Sequence, residues 1–277
     1  SLRDLIELGR SGAIDEIIIA LPQSAEQRIG HIVRKLEQLP VRIRICTHIS
    51  SDLVDALPSR HRVSSIGPLG LLDVKSKPLK DWAPVLKRIV DLGVAAIALV
   101  VATPLMLLVA AAIRLDSPGP VLFRQQRHGL NHREFDVLKF RSMTATANGP
   151  AVRQATRGDA RVTRIGRFIR RTSLDELPQL INVLRGDMSL VGPRPHALVH
   201  NEYYGEMLER YANRHQVKPG ITGWAQVNGY RGETSENELM AERVKFDLEY
   251  IDNWSLGFDL KIMVLTAAAV LFPKNAY

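Results

Sequence analysis

The chain has 277 residues, of which 45% are hydrophobic and 24% charged; this excludes a disordered chain or a collagen-like repeat and leaves room for about two domains. With 37 Lys and Arg against 29 Asp and Glu, the formal charge is +8, which points to an anionic partner such as a phosphorylated substrate or an anionic membrane face. A single cysteine, Cys46, excludes an internal disulfide and a multi-cysteine zinc site, and aromatics at 6% speak against base-stacking recognition of nucleic acid.

The start, Ser1-Leu2-Arg3-Asp4, has neither Met nor an apolar run. No signal peptide is expected, and the chain reads as a piece of a longer protein. Residues 2–9 predict a short helix ending at Gly9. Residues 16–21 predict a buried strand, 25–39 an amphipathic helix and 41–46 a second strand. Strand–helix–strand implies a parallel βαβ unit. Without a G-x-G-x-x-G it carries no dinucleotide fingerprint. Residues 66–81 hold Gly67, Pro68, Gly70 and Pro78 among lysines, and read as a linker and domain boundary.

Residues 94–113 (VAAIALVVATPLMLLVAAAI) carry no charge and are long enough to cross a bilayer core. Two features favour a helix that enters and returns. Thr103-Pro104 lies at the centre, where proline removes a backbone donor. Basic residues also flank both ends, with Lys75, Lys77, Lys80, Lys87 and Arg88 before the run and Arg114, Arg124, Arg127 and Arg133 after it. A single crossing would place one cluster outside, against the positive-inside tendency. A second apolar run, 262–272, is too short to span; it suits the interface or the core, with Trp254 as a candidate interfacial anchor.

Residues 170–196 read RRTSLDELPQLINVLRGDMSLVGPRPH. Ser173 with Glu176 has the spacing of a capping box, and Leu177, Leu180, Ile181 and Leu184 follow at helical spacing. A structural account is complete on spacing alone, because first-turn carboxylates offset the helix dipole. The preceding Arg164, Arg167, Arg170 and Arg171 add a second reading. Adjacent Asp175 and Glu176 beside cations suit Mg²⁺ bridging carboxylate to phosphate, or an ionised Asp attacking phosphorus.

Residues 121–129 (VLFRQQRHG), 139–143 (KFRSM), 174–195 and 218–229 (KPGITGWAQVNG) together resemble the bacterial sugar transferases, the monotopic polyprenyl-phosphate hexose-1-phosphate transferases also called phosphoglycosyl transferases. The resemblance covers about 80–277, and the upstream βαβ piece is similar to the cytosolic domain of the larger members. The fold class it implies is α/β. A partial Rossmann-like βαβ domain with linker (1–79) precedes a mostly helical monotopic membrane catalytic domain (80–277) with a re-entrant helix at about 84–115, broken at Thr103 and Pro104.

The implied activity transfers hexose-1-phosphate from a UDP-hexose, glucose first and galactose next, to undecaprenyl phosphate. UMP is released through a covalent phosphosugar–aspartate intermediate, as the first membrane step of exopolysaccharide, capsule or O-antigen synthesis. By the same resemblance Asp175 matches the nucleophile and magnesium contact, and Glu176 its partner. Lys139, Arg141, Arg194 and Asp247 match substrate-binding positions. The loop after Met143 is expected to close on the diphosphate. Mg²⁺ is the implied cofactor, and UDP-hexose, undecaprenyl phosphate and membrane lipid are the implied partners. No nucleic acid is expected, and a homodimer is left open. The implied location is the cytoplasmic face of the bacterial inner membrane. The alternative is a membrane-associated scaffold or nucleotide-sugar-binding protein without turnover. A transferase of the sugar alone would commonly show D-x-D, which the sequence lacks.

Overall fold

The computed structural model describes residues 1–47, 63–66, 69–75, 78–79, 82–144, 159–196, 198–208, 210–230 and 237–271. The chain divides into two units, Ser1–Asp81 and Trp82–Tyr277.

In the first unit, helix α1 (Leu2–Ser11) starts in a capping box between Ser1 and Asp4 and stops at Gly12, whose φ of 78° is left-handed. The helix does not end at Gly9. That glycine is instead a packing site, because a Cβ there would meet a methyl of Leu39 at 2.6 Å. Strand β1 (Glu16–Ile19), helix α2 (Glu26–Leu36) and strand β2 (Arg42–Thr47) form the expected unit, with β1 and β2 parallel. Ile17, Ile19, Leu36, Leu39, Val41 and Ile43 make its core.

The stretch expected as a linker is partly strand. β3 (Val63–Ile66) and β4 (Leu69–Lys75) pair antiparallel, and β4 also lies antiparallel against β2, giving a mixed sheet in the order β1-β2-β4-β3. Two partners explain why β4 belongs in the sheet despite its glycine. Leu71 is buried, and Asp73 meets Arg44 at 2.6 Å. Lys77, Lys80 and Asp81 lie outside the described residues.

The second unit opens with α3 (Ala83–Asp116), one helix of 34 residues that continues through Pro104. It is long and apolar enough to cross a membrane. The Thr103 hydroxyl donates to the carbonyl of Leu99 at 2.7 Å. That is one residue before Val100, whose carbonyl loses its intrahelical donor to the proline. The Thr103 hydroxyl therefore bonds the carbonyl next to the freed one.

Both ends of α3 are fastened to the rest of this unit. At the start, Lys87 pairs with Asp259 at 2.7 Å, the Arg88 guanidinium donates to the carbonyls of Val183 and Leu184, and Asp91 accepts from the amide of Leu190. At the far end Val109 and Ile113 pack with Phe140 and Ile169. Between them Ile97, Val100, Val101, Leu107 and Leu108 are exposed.

The hairpin β5 (Leu122–His128) and β6 (Glu134–Phe140) follows, then α4 (Arg164–Arg171), a 3₁₀ turn at Leu174–Glu176 and α5 (Gln179–Arg185). Strand β7 (Ser189–Val191) pairs parallel with β8 (Gly220–Thr222). A Cβ at Gly220 would meet the amide nitrogen of Gly192 at 2.1 Å, so the crossing tolerates no side chain there. Helices α6 (Leu198–Met207), α7 (Trp224–Val227), α8 (Asn237–Asp252) and α9 (Leu256–Leu271) complete the unit, with a 3₁₀ turn at Tyr211–Gln216 before β8. The second apolar run lies in α9 as far as Leu271. The indole of Trp254 donates to Asp259 at 3.1 Å, so its polar end is spent inside the protein rather than at an interface.

Candidate active site

Asp175 and Glu176 sit in the 3₁₀ turn before α5, and the expected capping box does not form. Ser173 adopts a left-handed conformation with φ of 59° and makes no side-chain cap. The reason lies in tertiary contacts, because Glu176 is drawn away from the backbone by two cations. Lys139 Nζ donates to Glu176 Oε1 at 3.0 Å. Arg194 grips both oxygens, with Nη1 to Oε2 at 3.2 Å and Nη2 to Oε1.

The scaffold explains the meeting. Lys139 is near the end of β6, and α5 is pinned to that strand by the buried Asn182. Its Oδ1 accepts from the Leu138 amide at 2.9 Å and its Nδ2 donates to the Asp136 carbonyl at 2.8 Å. Arg194 follows β7, which begins just after α5.

The two adjacent carboxyls have opposite electrostatic settings. Burial acts to raise Glu176, but Arg194 and Lys139 outweigh it and hold that carboxyl well below its ordinary value. Burial pushes Asp175 up, opposed by Lys139 and reinforced by the charge of Glu176. Asp175 makes no hydrogen bond among the described residues. It is thus an untied carboxylate whose partner is locked, with Lys139, Arg194 and Arg170 near enough to act on it electrostatically.

Two expected substrate contacts are placed elsewhere. Arg141 is buried, and its guanidinium donates to the carbonyls of Ser117 and Pro118, both at 2.6 Å, and to the Ser117 hydroxyl. It clamps the turn after α3. Gly119, at φ of 125°, lies so close that a Cβ would meet Arg141 Nη1 at 2.0 Å. Asp247 is also buried, held by Arg214 Nη2 at 2.7 Å, so it too is enclosed by protein. The loop after Met143 lies outside the described residues.

The sequence reading missed two arginines. Arg127 reads in the sequence as a membrane flank, yet its Nη1 donates to the Pro195 carbonyl at 3.4 Å. Burial and the neighbouring Arg194 push its pKa down to about 10. Arg214 lies in no motif that the sequence makes legible. Nothing in the local pattern separates a buried arginine from a surface one; only the long-range packing does.

The donor set suits magnesium in one form only. Among the described residues no group of three His, Cys, Asp or Glu side chains could cage a metal ion. Asp175, a hard oxygen ligand free of hydrogen bonds, fits a Mg²⁺ ion that completes its shell with water and substrate phosphate.

Residues 82–273 match the family model described as bacterial sugar transferase, and residues 1–47 match that of a CoA-binding domain. A UDP-glucose:undecaprenyl-phosphate glucose-1-phosphate transferase of Xanthomonas campestris pv. campestris is 44% identical over 277 residues, covering 99% of this chain and 56% of the relative. The protein of the same name from Escherichia coli (strain K12) is 44% identical, covering 100% of this chain and 59% of the relative. One from Caulobacter vibrioides is 54% identical over 191 residues, covering 69% of this chain and 72% of the relative. The chain thus spans a little over half the length of the first two relatives. The family match takes in α3, both carboxyls and their cations, and the chain belongs to the bacterial sugar transferase family.

Proposed function

We propose that the protein transfers glucose-1-phosphate from UDP-glucose to undecaprenyl phosphate and releases UMP. The observation that carries this reading is the division of labour between the adjacent carboxyls. Glu176 is locked by Lys139 and Arg194, whereas Asp175 is free to react. An Asp175 oxygen attacks the sugar-bearing phosphorus, and the bond from that phosphorus to the bridging oxygen breaks. UMP leaves with the bridging oxygen and its electron pair. An oxygen of the lipid phosphate then attacks the same phosphorus, and the acyl phosphate bond breaks to return Asp175. Splitting the exchange into two displacements is what a carboxylate nucleophile supplies. In this reading Lys139 and Arg194, the cations beside both carboxyls, offset phosphate charge. Mg²⁺ bound at Asp175 would supply further neutralisation of the diphosphate.

The names of the relatives support glucose as the sugar and undecaprenyl phosphate as the acceptor; galactose is the second choice by the sequence resemblance alone. The re-entrant reading of α3 is supported by its fastening at both ends to one unit, which favours a monotopic domain; the basic residues flanking both ends favour the cytoplasmic face of the inner membrane. The first unit, with its parallel βαβ pair, is read as a partial Rossmann-like domain of the larger family members.

The test is to supply UDP-glucose alone and look for one equivalent of UMP per enzyme, together with a hexose-phosphate mass on the peptide holding Asp175. Adding polyprenyl phosphate should convert the burst into turnover. Release of UDP would overturn the phosphosugar reading. No nucleotide release would favour the scaffold alternative.

A further inference from the structure

Behind Arg194 lies a buried polar group that the proposed chemistry does not use. Arg214, in the 3₁₀ turn Tyr211–Gln216, is almost fully buried. Its Nη2 donates to the Arg194 carbonyl at 2.7 Å and to Asp247 Oδ2 at 2.7 Å. Its Nη1 donates to His196 Nδ1 and lies 3.3 Å from the Tyr211 hydroxyl. The guanidinium therefore joins three segments: the 3₁₀ turn, the Pro193–His196 loop and helix α8, which carries Asp247.

We propose that Arg214, anchored by Asp247, is a positioning residue for the transfer: it holds the backbone of Arg194 so that the Arg194 side chain meets Glu176 with both nitrogens. This rests on the reading given under Proposed function. The directional demands are severe. Four of the five guanidinium N–H directions have partners, and only Nε is buried without one. Lysine keeps the charge but lacks the planar fork.

His196 fits the same arrangement. Nδ1 accepts from Arg214 and Nε2 lies 3.3 Å from Arg243 Nη1, so guanidinium groups face both ring nitrogens and the ring is neutral. Burial, with Arg214 and Arg243 adding their charge, holds the imidazole well below its ordinary pKa. The loop is thus gripped through the carbonyl of Arg194 and the ring two residues later. Fixing a backbone on both sides of a functional side chain is what limits its excursions, and a misplacement of about 1 Å can cost on the order of 10²-fold in rate.

The experiment compares Arg214→Lys in the wild-type background and in Arg194→Ala. The readouts are UMP release with UDP-glucose and polyprenyl phosphate, melting temperature, and hydrogen exchange of the peptide covering 189–196 without substrate. Positioning predicts that Arg214→Lys lowers kcat on the order of 10²-fold with KM little changed. It predicts almost no further loss once Arg194 is gone, because contacting groups are not additive. Exchange at 189–196 rises. Asp247→Asn, which keeps the shape and one acceptor, gives the same pattern in weaker form.

Equal fold losses in both backgrounds with unchanged exchange overturn the proposal. So does collapse of both variants to unfolded chain, which would make the group a fold stabiliser. If the wild-type protein releases no UMP, the functional reading fails on its own, and hydrogen exchange still decides whether Arg214 holds the loop.

Discussion

Arg194 holds Glu176 in a fork, Nη1 to Oε2 at 3.2 Å with Nη2 on Oε1, while Asp175 one residue earlier has no hydrogen-bonding partner among the described residues. Sequence neighbours of the same chemistry are thereby made unlike. One is a fixed charge that organises two cations, and the other is a carboxyl kept available.

Asp175→Asn separates a structural role from a chemical one. Since burial raises the Asp175 carboxyl, the ionised form opposes folding at neutral pH. The amide should therefore leave the melting temperature unchanged or slightly higher. Turnover should fall on the order of 10³-fold or more, equivalent to about 4 kcal/mol of barrier. A matched loss of stability and rate would return Asp175 to a structural role.

The two carboxyls also carry opposite pH signatures. Asp175 must be ionised to attack, so the acid limb of kcat should lie above the ordinary aspartate value of 3.8. Glu176 is depressed when folded. Its contribution to stability is present above its unfolded value of 4.5 and is lost as pH falls through the lower folded value. Rate profiles and melts between pH 3 and pH 8 read the two separately, and Glu176→Gln should flatten the acid loss of stability.

Glu176→Gln should also cost about 2 kcal/mol at neutral pH, because Lys139 and Arg194 then face each other without the intervening charge. Urea unfolding measures this directly. An unchanged midpoint would mean that solvent compensates the two cations.

Lys139 and Arg141 stand two residues apart in a motif that reads as a single basic patch, yet the structure gives them different tasks. Arg141→Ala leaves the carbonyls of Ser117 and Pro118 without their donor and opens a void, so it should destabilise by about 3 kcal/mol. The protein that remains folded should keep nearly normal turnover. Lys139→Ala should show the reverse, with a large loss of kcat and a smaller loss of stability. Melting curves alongside UMP release distinguish the two.

That contrast marks what was readable in the sequence. The apolar run, the central proline, the paired carboxyls and Arg194 are local features, and the βαβ unit follows from periodicity. Alternation along a strand places Lys139 and Arg141 on one face, but it does not say that the second meets a turn 24 residues earlier. The capping spacing of Ser173 and Glu176 was equally legible and gave way to Lys139 and Arg194, because charge-assisted bonds to two cations outweigh one cap. Strand β4 was hidden by its glycine and flanking prolines, and needed Arg44 on β2 to reveal the partner of Asp73.

The last prediction concerns the topology of α3. At 1.5 Å per residue its 34 residues would extend about 51 Å, against a hydrocarbon core of roughly 30 Å. Length alone therefore permits a crossing. The anchors argue otherwise. Lys87, Arg88 and Asp91 bond to α9, α5 and β7, while Val109 and Ile113 pack on β6 and α4. A full crossing must strip one set, leaving either a buried Asp259 without Lys87 or an apolar cluster without half its members. The exposed ends allow labelling: Trp82→Cys and Leu115→Cys in a Cys46→Ser background, probed in inverted and right-side-out membrane vesicles with an impermeant maleimide. Both sites should react in inverted vesicles and neither in right-side-out ones. Opposite sidedness would establish a simple span. Pro104→Ala restores the missing donor to the carbonyl of Val100 and should increase the crossing fraction. Lys87→Ala combined with it should increase that fraction further, since it removes the fastening to Asp259 as well as the proline.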